Sequence, residues 1–232
     1  HGAAYSMVEA CAKVVAAGGH YEKMRFSCQE YFERMTHDPK VWGKPMAALL
    51  GSLKMQLELG LPSIGGKDSM SGTFEDIHVP PTLVSFAVTT ENIDNIVSPE
   101  FKAAGHPVYL FRPELNDKGL PEGESLIALY DKVTELMRKG LVKACYTPGM
   151  GGAAEAVLKM AMGNRIGFEF AAAPAEGALT DEEIFGYCYG GFVCEAEREL
   201  AADELGNAGF SAVLMGRTCQ AYEIRRGADV LS

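Results

Sequence analysis

Apolar residues recur at helical spacing in three stretches. Positions 4, 7, 8, 11, 14 and 15 form one stripe with Gly18-Gly19 behind it, which predicts a helix over residues 3–17. Met46, Leu49, Leu50, Leu53 and Leu57 form a second stripe within 44–59, ended by Gly60, with Pro62 barring continuation. Leu126, Leu129, Val133 and Leu136 mark a third helix over 125–139, stopped by Gly140. Short β-branched or apolar runs read as strands at 82–90, 107–111, 141–146, 165–170, 190–196 and 211–218. Residues 152–162 and 198–208 read as helices between them, and Thr180-Asp181-Glu182-Glu183 as a capping box. The Met and Leu stripes are expected to be core.

The pattern breaks into a polar connection over 91–106, which predicts two domains, residues 1–95 and 100–232. The second alternates strands with helices, so the expected class is α/β, a sheet covered by helices. The 232 residues are 47% hydrophobic and 22% charged, enough to build a core. A net charge of −10 opposes nonspecific binding to nucleic acid or an anionic membrane, and no apolar run approaches the length of a membrane span. The six cysteines form no C-x-x-C and the five histidines no ligand cluster; scattered thiols of this kind suit a reduced, cytoplasmic protein.

Two Gly-rich segments carry candidate chemistry. In Leu61–Gly72, Gly65-Gly66 precede Lys67, Asp68, Ser69 and Ser71, placing a cation, a carboxylate and two hydroxyls at one expected loop. Five residues, not four, separate Gly60 from Gly66-Lys67, and Asp68 follows the lysine, so the segment is not a Walker A loop. A solvated helix-to-strand turn is the plain alternative. In Thr147–Ala154, Gly149, Gly151 and Ala154 satisfy G-x-G-x-x-A, and Glu169 lies 20 residues beyond Gly149, where a ribose-binding acid of a dinucleotide-binding oxidoreductase would sit. Gly151 and Gly152 could equally serve an anion at a helix N-terminus or close helix–strand packing. Glu9 and Lys13 are i, i+4 neighbours, a spacing that suits either a shared ligand face or a surface ion pair.

The run "LGLPSIGGKDSMSGTF" resembles the corresponding segment of formylglycinamide ribonucleotide amidotransferase (phosphoribosylformylglycinamidine synthase), in its large single-chain form. "HGAAYSMVEACAKVVAAGG" and "QEYF" before it, and "TPGMGGAAEAVLKMAMGNRIGFEF" after it, are similar to landmarks of the same family in the same order. The resemblance implies an aminoimidazole ribonucleotide synthetase-like fold: part of an N-domain over 1–95 and a C-domain with helices on a mixed sheet over 100–232. It implies a fragment of the second synthetase half of a C–N ligase of purine biosynthesis. That enzyme uses ATP, magnesium and glutamine to convert formylglycinamide ribonucleotide to the formylglycinamidine ribonucleotide. The implied partners are the remaining synthetase half and a glutaminase domain.

Binding of substrate or nucleotide is expected at Gly65, Gly66, Lys67, Asp68, Ser69, Gly149, Gly151 and Gly152. No catalytic residue is assigned, because no histidine matches the family's catalytic motif and no cysteine its glutaminase motif. Two positions depart from the family. Met150 stands where an Asp helps hold magnesium beside a nucleotide, and Lys13 where an Asn accompanies Glu9. Glu9 is thus expected to be the remnant of a metal site, in a half that scaffolds rather than catalyses.

Overall fold

The computed structural model describes residues 1–171, 178–206 and 209–231. Helix α1, Gly2–Ala16, is apolar on most of its circumference, and Ala4, Met7, Val8, Ala10, Cys11, Ala12, Val15 and Ala16 are all buried. Such a helix needs cover on several sides. It ends where Gly18 takes φ of 95°, in a space where a Cβ would lie 2.0 Å from the Asn95 carbonyl oxygen.

Strand β1, Arg25–Tyr31, runs between β2, Ser63–Ser69, which is parallel to it, and β5, Thr82–Val88, which is antiparallel. Helix α2, Pro39–Leu59, connects β1 to β2, and a two-stranded hairpin, β3 (Thr73–Phe74) with β4 (Ile77–His78), precedes β5. α2 starts five residues before the expected 44: Asp38 accepts from Lys40 N–H at 2.9 Å and Pro39 begins the first turn, both strong start signals. Its expected core stripe is corrected. Met46, Leu49, Leu50, Leu53 and Leu57 are exposed, while Pro45, Ser52, Met55 and Leu59 are buried. Leu-rich spacing reports an amphipathic face, and small residues on the other face, Ala48, Gly51 and Ser52, let α2 pack closely on its neighbours.

The second sheet has seven strands in the order β12-β11-β8-β10-β6-β9-β7. These are β6 (Pro107–Pro113), β7 (Val142–Tyr146), β8 (Gly167–Phe170), β9 (Phe192–Ala196), β10 (Phe210–Cys219), β11 (Ile224–Arg226) and β12 (Asp229–Val230). Among the described residues of this sheet, only β8 and β11 pair in parallel. Helices α3 (Gly123–Arg138), α4 (Gly152–Asn164), α5 (Asp181–Phe185) and α6 (Ala202–Leu205) complete the fold. β6 is an interior strand and alternates its side chains: Tyr109 and Phe111 join the core of α1 and α3, while Val108 and Leu110 join that of α4 and α5. The continuous apolar run of residues 107–111 is thus a strand buried on both faces.

The Thr180 capping box is present, with Glu183 N–H donating to Thr180 Oγ1 and Thr180 N–H to Glu183 Oε2. The helix expected over 198–208 is reduced to α6; Arg198 instead reaches Glu204 with both guanidinium nitrogens at 2.8 and 2.7 Å, and residues 207 and 208 lie outside the described residues. All six cysteines are free thiols. Among the described residues, no helix is long and apolar enough to cross a membrane.

Candidate functional site

β7 delivers the chain into the Thr147–Gly152 turn, and α4 starts from it. Gly152 is at φ 64°, and a Cβ there would lie 2.4 Å from the Gly186 carbonyl oxygen and 2.6 Å from that of Ile184. Glycine is required by the approach of the α5 C-terminus, so the packing alternative for Gly152 is realised. Gly151 N–H donates to Glu155 Oε2 at 2.8 Å, which places a carboxylate at the α4 N-terminus. The ion pair with Lys159, then this backbone bond, hold the Glu155 carboxyl below its ordinary range.

Beside this turn is a cleft of about 630 Å³ lined by Tyr5, Glu9, Arg112, Tyr187, Cys188 and Tyr189. α1 contributes Tyr5 and Glu9, one turn apart on its single polar face. Residues 187–189 are pinned to α1 by Gly190, where a Cβ would come within 2.7 Å of Val8 Cγ1. Tyr189 joins the parts: its ring is 5.7 Å from that of Tyr5 and 6.1 Å from that of Tyr187, and a Cβ on Gly149 would lie 3.8 Å from it. Arg112, at the end of β6, holds the capping residue Glu183 at 3.1 Å. The cleft therefore has aromatic walls, a cation at one side and a carboxylate at the other.

Glu9 is four-fifths buried on its side chain. Its Oε1 lies 3.1 Å from Lys13 Nζ, while Oε2 is buried without a hydrogen-bond partner among the described residues. Burial raises its pKa, Lys13 opposes that rise, and the Glu155 charge adds to it. The residues present do not fit a magnesium ion. One oxygen of Glu9 is already matched by an ammonium group, Met150 is exposed and neutral, and no group of three or more His, Cys, Asp or Glu residues among the described residues could hold a metal.

Of the expected residues, Glu9 lines this cleft; Gly149 approaches it behind Tyr189, while Gly151 and Gly152 face Glu155 and the end of α5. The structure does not bring Gly65, Gly66, Lys67, Asp68 and Ser69 there. The expectation of a loop at those five residues is corrected: all belong to β2, and Gly60, at φ 68°, makes the turn out of α2. Alternation along a strand sends Lys67 and Asp68 to opposite faces, so they do not converge on one groove. Lys67 is in register with Gln29, and Asp68 with Glu30. Gly66 allows a close pairing, since a Cβ there would lie 2.9 Å from the Cys28 carbonyl oxygen.

Tyr5, Arg112, Tyr187 and Tyr189 are the cleft residues that sequence reasoning missed. The run Tyr187-Cys188-Tyr189-Gly190-Gly191, two phenols in a Gly-bounded connection, was a usable signal. The dinucleotide-binding reading is overturned. That motif needs parallel βαβ units, whereas β7 is an edge strand antiparallel to β9, and three strands separate it from β8, which carries Glu169.

No family model matches the chain. The phosphoribosylformylglycinamidine synthase subunit PurL of Symbiobacterium thermophilum is 26% identical over 220 residues, which cover 85% of this chain and 28% of that protein. The structure of T. maritima PurL complexed with ATP superposes with a TM-score of 0.73 at 16% identity, covering 99% of this chain and 39% of that one. Thiamine monophosphate kinase from Aquifex aeolicus superposes at 0.64 and 13% identity, covering 100% of this chain and 83% of that one. The chain thus spans well under half of the PurL proteins it matches, but most of a smaller protein with the same architecture. The sequence match shows a chain related to phosphoribosylformylglycinamidine synthase, and the superpositions show the aminoimidazole ribonucleotide synthetase-like fold.

Proposed function

We propose that this chain is one section of an ATP- and glutamine-dependent ligase that converts formylglycinamide ribonucleotide to formylglycinamidine ribonucleotide in the cytoplasm, and that its own cleft is a nucleotide site. The observation that carries this reading is the cleft between Tyr5, Glu9, Arg112 and Tyr189. Tyrosine rings stack on a purine, and an arginine favours phosphate. The relationship to PurL supports the reaction class, and the likeness to T. maritima PurL complexed with ATP supports ATP as the nucleotide. The ion pair of Glu9 with Lys13 favours a scaffolding half, in which nucleotide is held without metal and turnover belongs to the partner synthetase half and glutaminase domain. Lys67 and Ser69, on the face of β2 away from Asp68, are proposed to meet the ribonucleotide substrate from the sheet.

Calorimetric titration of the chain with ADP tests this. Binding is expected in EDTA as well as in magnesium, with no ATP hydrolysis in the presence of substrate and glutamine. Tyr189→Leu should weaken ADP by about tenfold, the loss of one stacking contact. Absence of ADP binding, or binding that requires magnesium, would overturn the metal-free nucleotide site.

A further inference from the structure

Two of the six free cysteines face each other across the large sheet. Cys145 of β7 stands directly opposite Cys194 of β9, with Sγ to Sγ at 3.5 Å. Cys194 is fully buried and Cys145 is 2% exposed. Among the described residues this is the one close thiol pair. Neither residue lines the cleft, so the pairing serves nothing described so far.

The backbone is already set for a bond between them. Directly opposite residues of an antiparallel pair keep their Cα atoms about 4.5–5.5 Å apart. A disulfide spans about 4.4–6.8 Å between Cα atoms, so neither strand has to move. The sulfurs need to close by about 1.5 Å to reach a bond length of about 2.0 Å, which rotation of the side chains supplies. The pair also has an approach. Cys145 borders a pocket of about 240 Å³ lined by Lys13, Ala17, Pro99, Tyr146 and Thr147. Hydrogen peroxide, little larger than a water of about 30 Å³, fits there. Burial, then the neighbouring Cys194, holds the Cys145 thiol well above its ordinary range, so the pair rests as two thiols.

We infer that Cys145 and Cys194 are a peroxide-responsive dithiol, which closes a disulfide between β7 and β9. The Cys145 sulfur attacks one peroxide oxygen, the O–O bond breaks, and the departing hydroxide leaves as water with the thiol proton. Cys145 is then a sulfenic acid. The Cys194 sulfur, already beside it, attacks the Cys145 sulfur; the S–O bond breaks, and a second water leaves with the Cys194 proton. The two thiols lose two electrons in all, and the peroxide gains them. The bond joins residues 49 apart in sequence and ties the edge strand β7 to its neighbour in the sheet. This goes beyond the proposed function and does not depend on it.

Peptide mapping of the folded 232-residue chain tests the pairing. The chain is treated with hydrogen peroxide, quenched with catalase, alkylated in denaturant and digested without reductant. A peptide linking Cys145 to Cys194 is expected, and dithiothreitol should return both residues to alkylatable thiols. The linked chain should melt about 5–10 °C higher than the reduced one. Cys194→Ala should show no such rise after the same treatment. A digest without the Cys145–Cys194 peptide would overturn the inference. So would a linkage that leaves the melting temperature unchanged or lowers it, because strands already in place gain from the bond. An equal rise in Cys194→Ala would also overturn it.

Discussion

Glu30 lies on β1 opposite Asp68 of β2, 3% exposed, with Oε1 lacking a hydrogen-bond partner among the described residues. Burial, then the hydrogen bond and charge of Asp68, push its pKa from 4.5 up to about 7. The folded chain therefore holds a proton that the unfolded chain releases above about pH 4.5. The contribution of this group is fully present below that pH and is lost as pH rises through about 7. Stability should rise between about pH 8 and pH 5 by up to about 3 kcal/mol from this pair. Glu30→Gln should be more stable than wild type at about pH 8 in urea unfolding and should lack that pH dependence. An unchanged slope in Glu30→Gln would show that the pair does not set the pH profile. Nothing in the sequence marked Glu30, because its burial depends on a strand partner 38 residues away.

Two helix ends separate backbone freedom from close packing. Gly60 ends α2 at φ 68° in open space, and Gly152 begins α4 at φ 64° against two carbonyl oxygens. Gly60→Ala should cost about 1 kcal/mol, the strain of a left-handed alanine alone. Gly152→Ala should cost about 2–4 kcal/mol, because the new methyl group also forces α5 away. Equal losses in the two variants, read from urea midpoints, would show that α5 yields freely. Local signals of this sort made most elements legible: the stripes of α1 and α3, the Thr180 box, and the apolar strands β6, β9 and β10. β1 was missed because its polar residues Ser27, Gln29 and Glu30 hide the alternation, and β11 and β12 because they are very short. α2 was found, but its buried side was reversed: apolar periodicity locates a face without saying what covers it. In the cleft, Glu9 was legible from local spacing, while the glycines of 149–152 shape the turn beside α5 and do not line it. Tyr5, Arg112 and Tyr189 come together only through the packing of α1 against residues 187–190.

The two sheets share one layer. α1 packs on β5 of the small sheet, and its other sides meet α2, α3 and the Tyr109–Phe111 face of the large one, so a single core joins elements from both parts of the chain. β2, by contrast, is an edge strand with almost every residue exposed, and the hairpin of β3 and β4 pairs only with itself among the described residues. This arrangement grades the molecule by the free energy needed to open each part. The amides of α1 cannot reach solvent unless both sheets come apart, so they should exchange hydrogen for deuterium only through global unfolding, with a denaturant dependence equal to that of the whole chain. Residues 63–78 should exchange through local opening, orders of magnitude sooner and with almost no dependence on denaturant. If α1 exchanged as early as β2, the shared core would not couple the two sheets. With the expected order, the polypeptide behaves as one cooperative unit around Glu9, with a readily opened margin at Lys67.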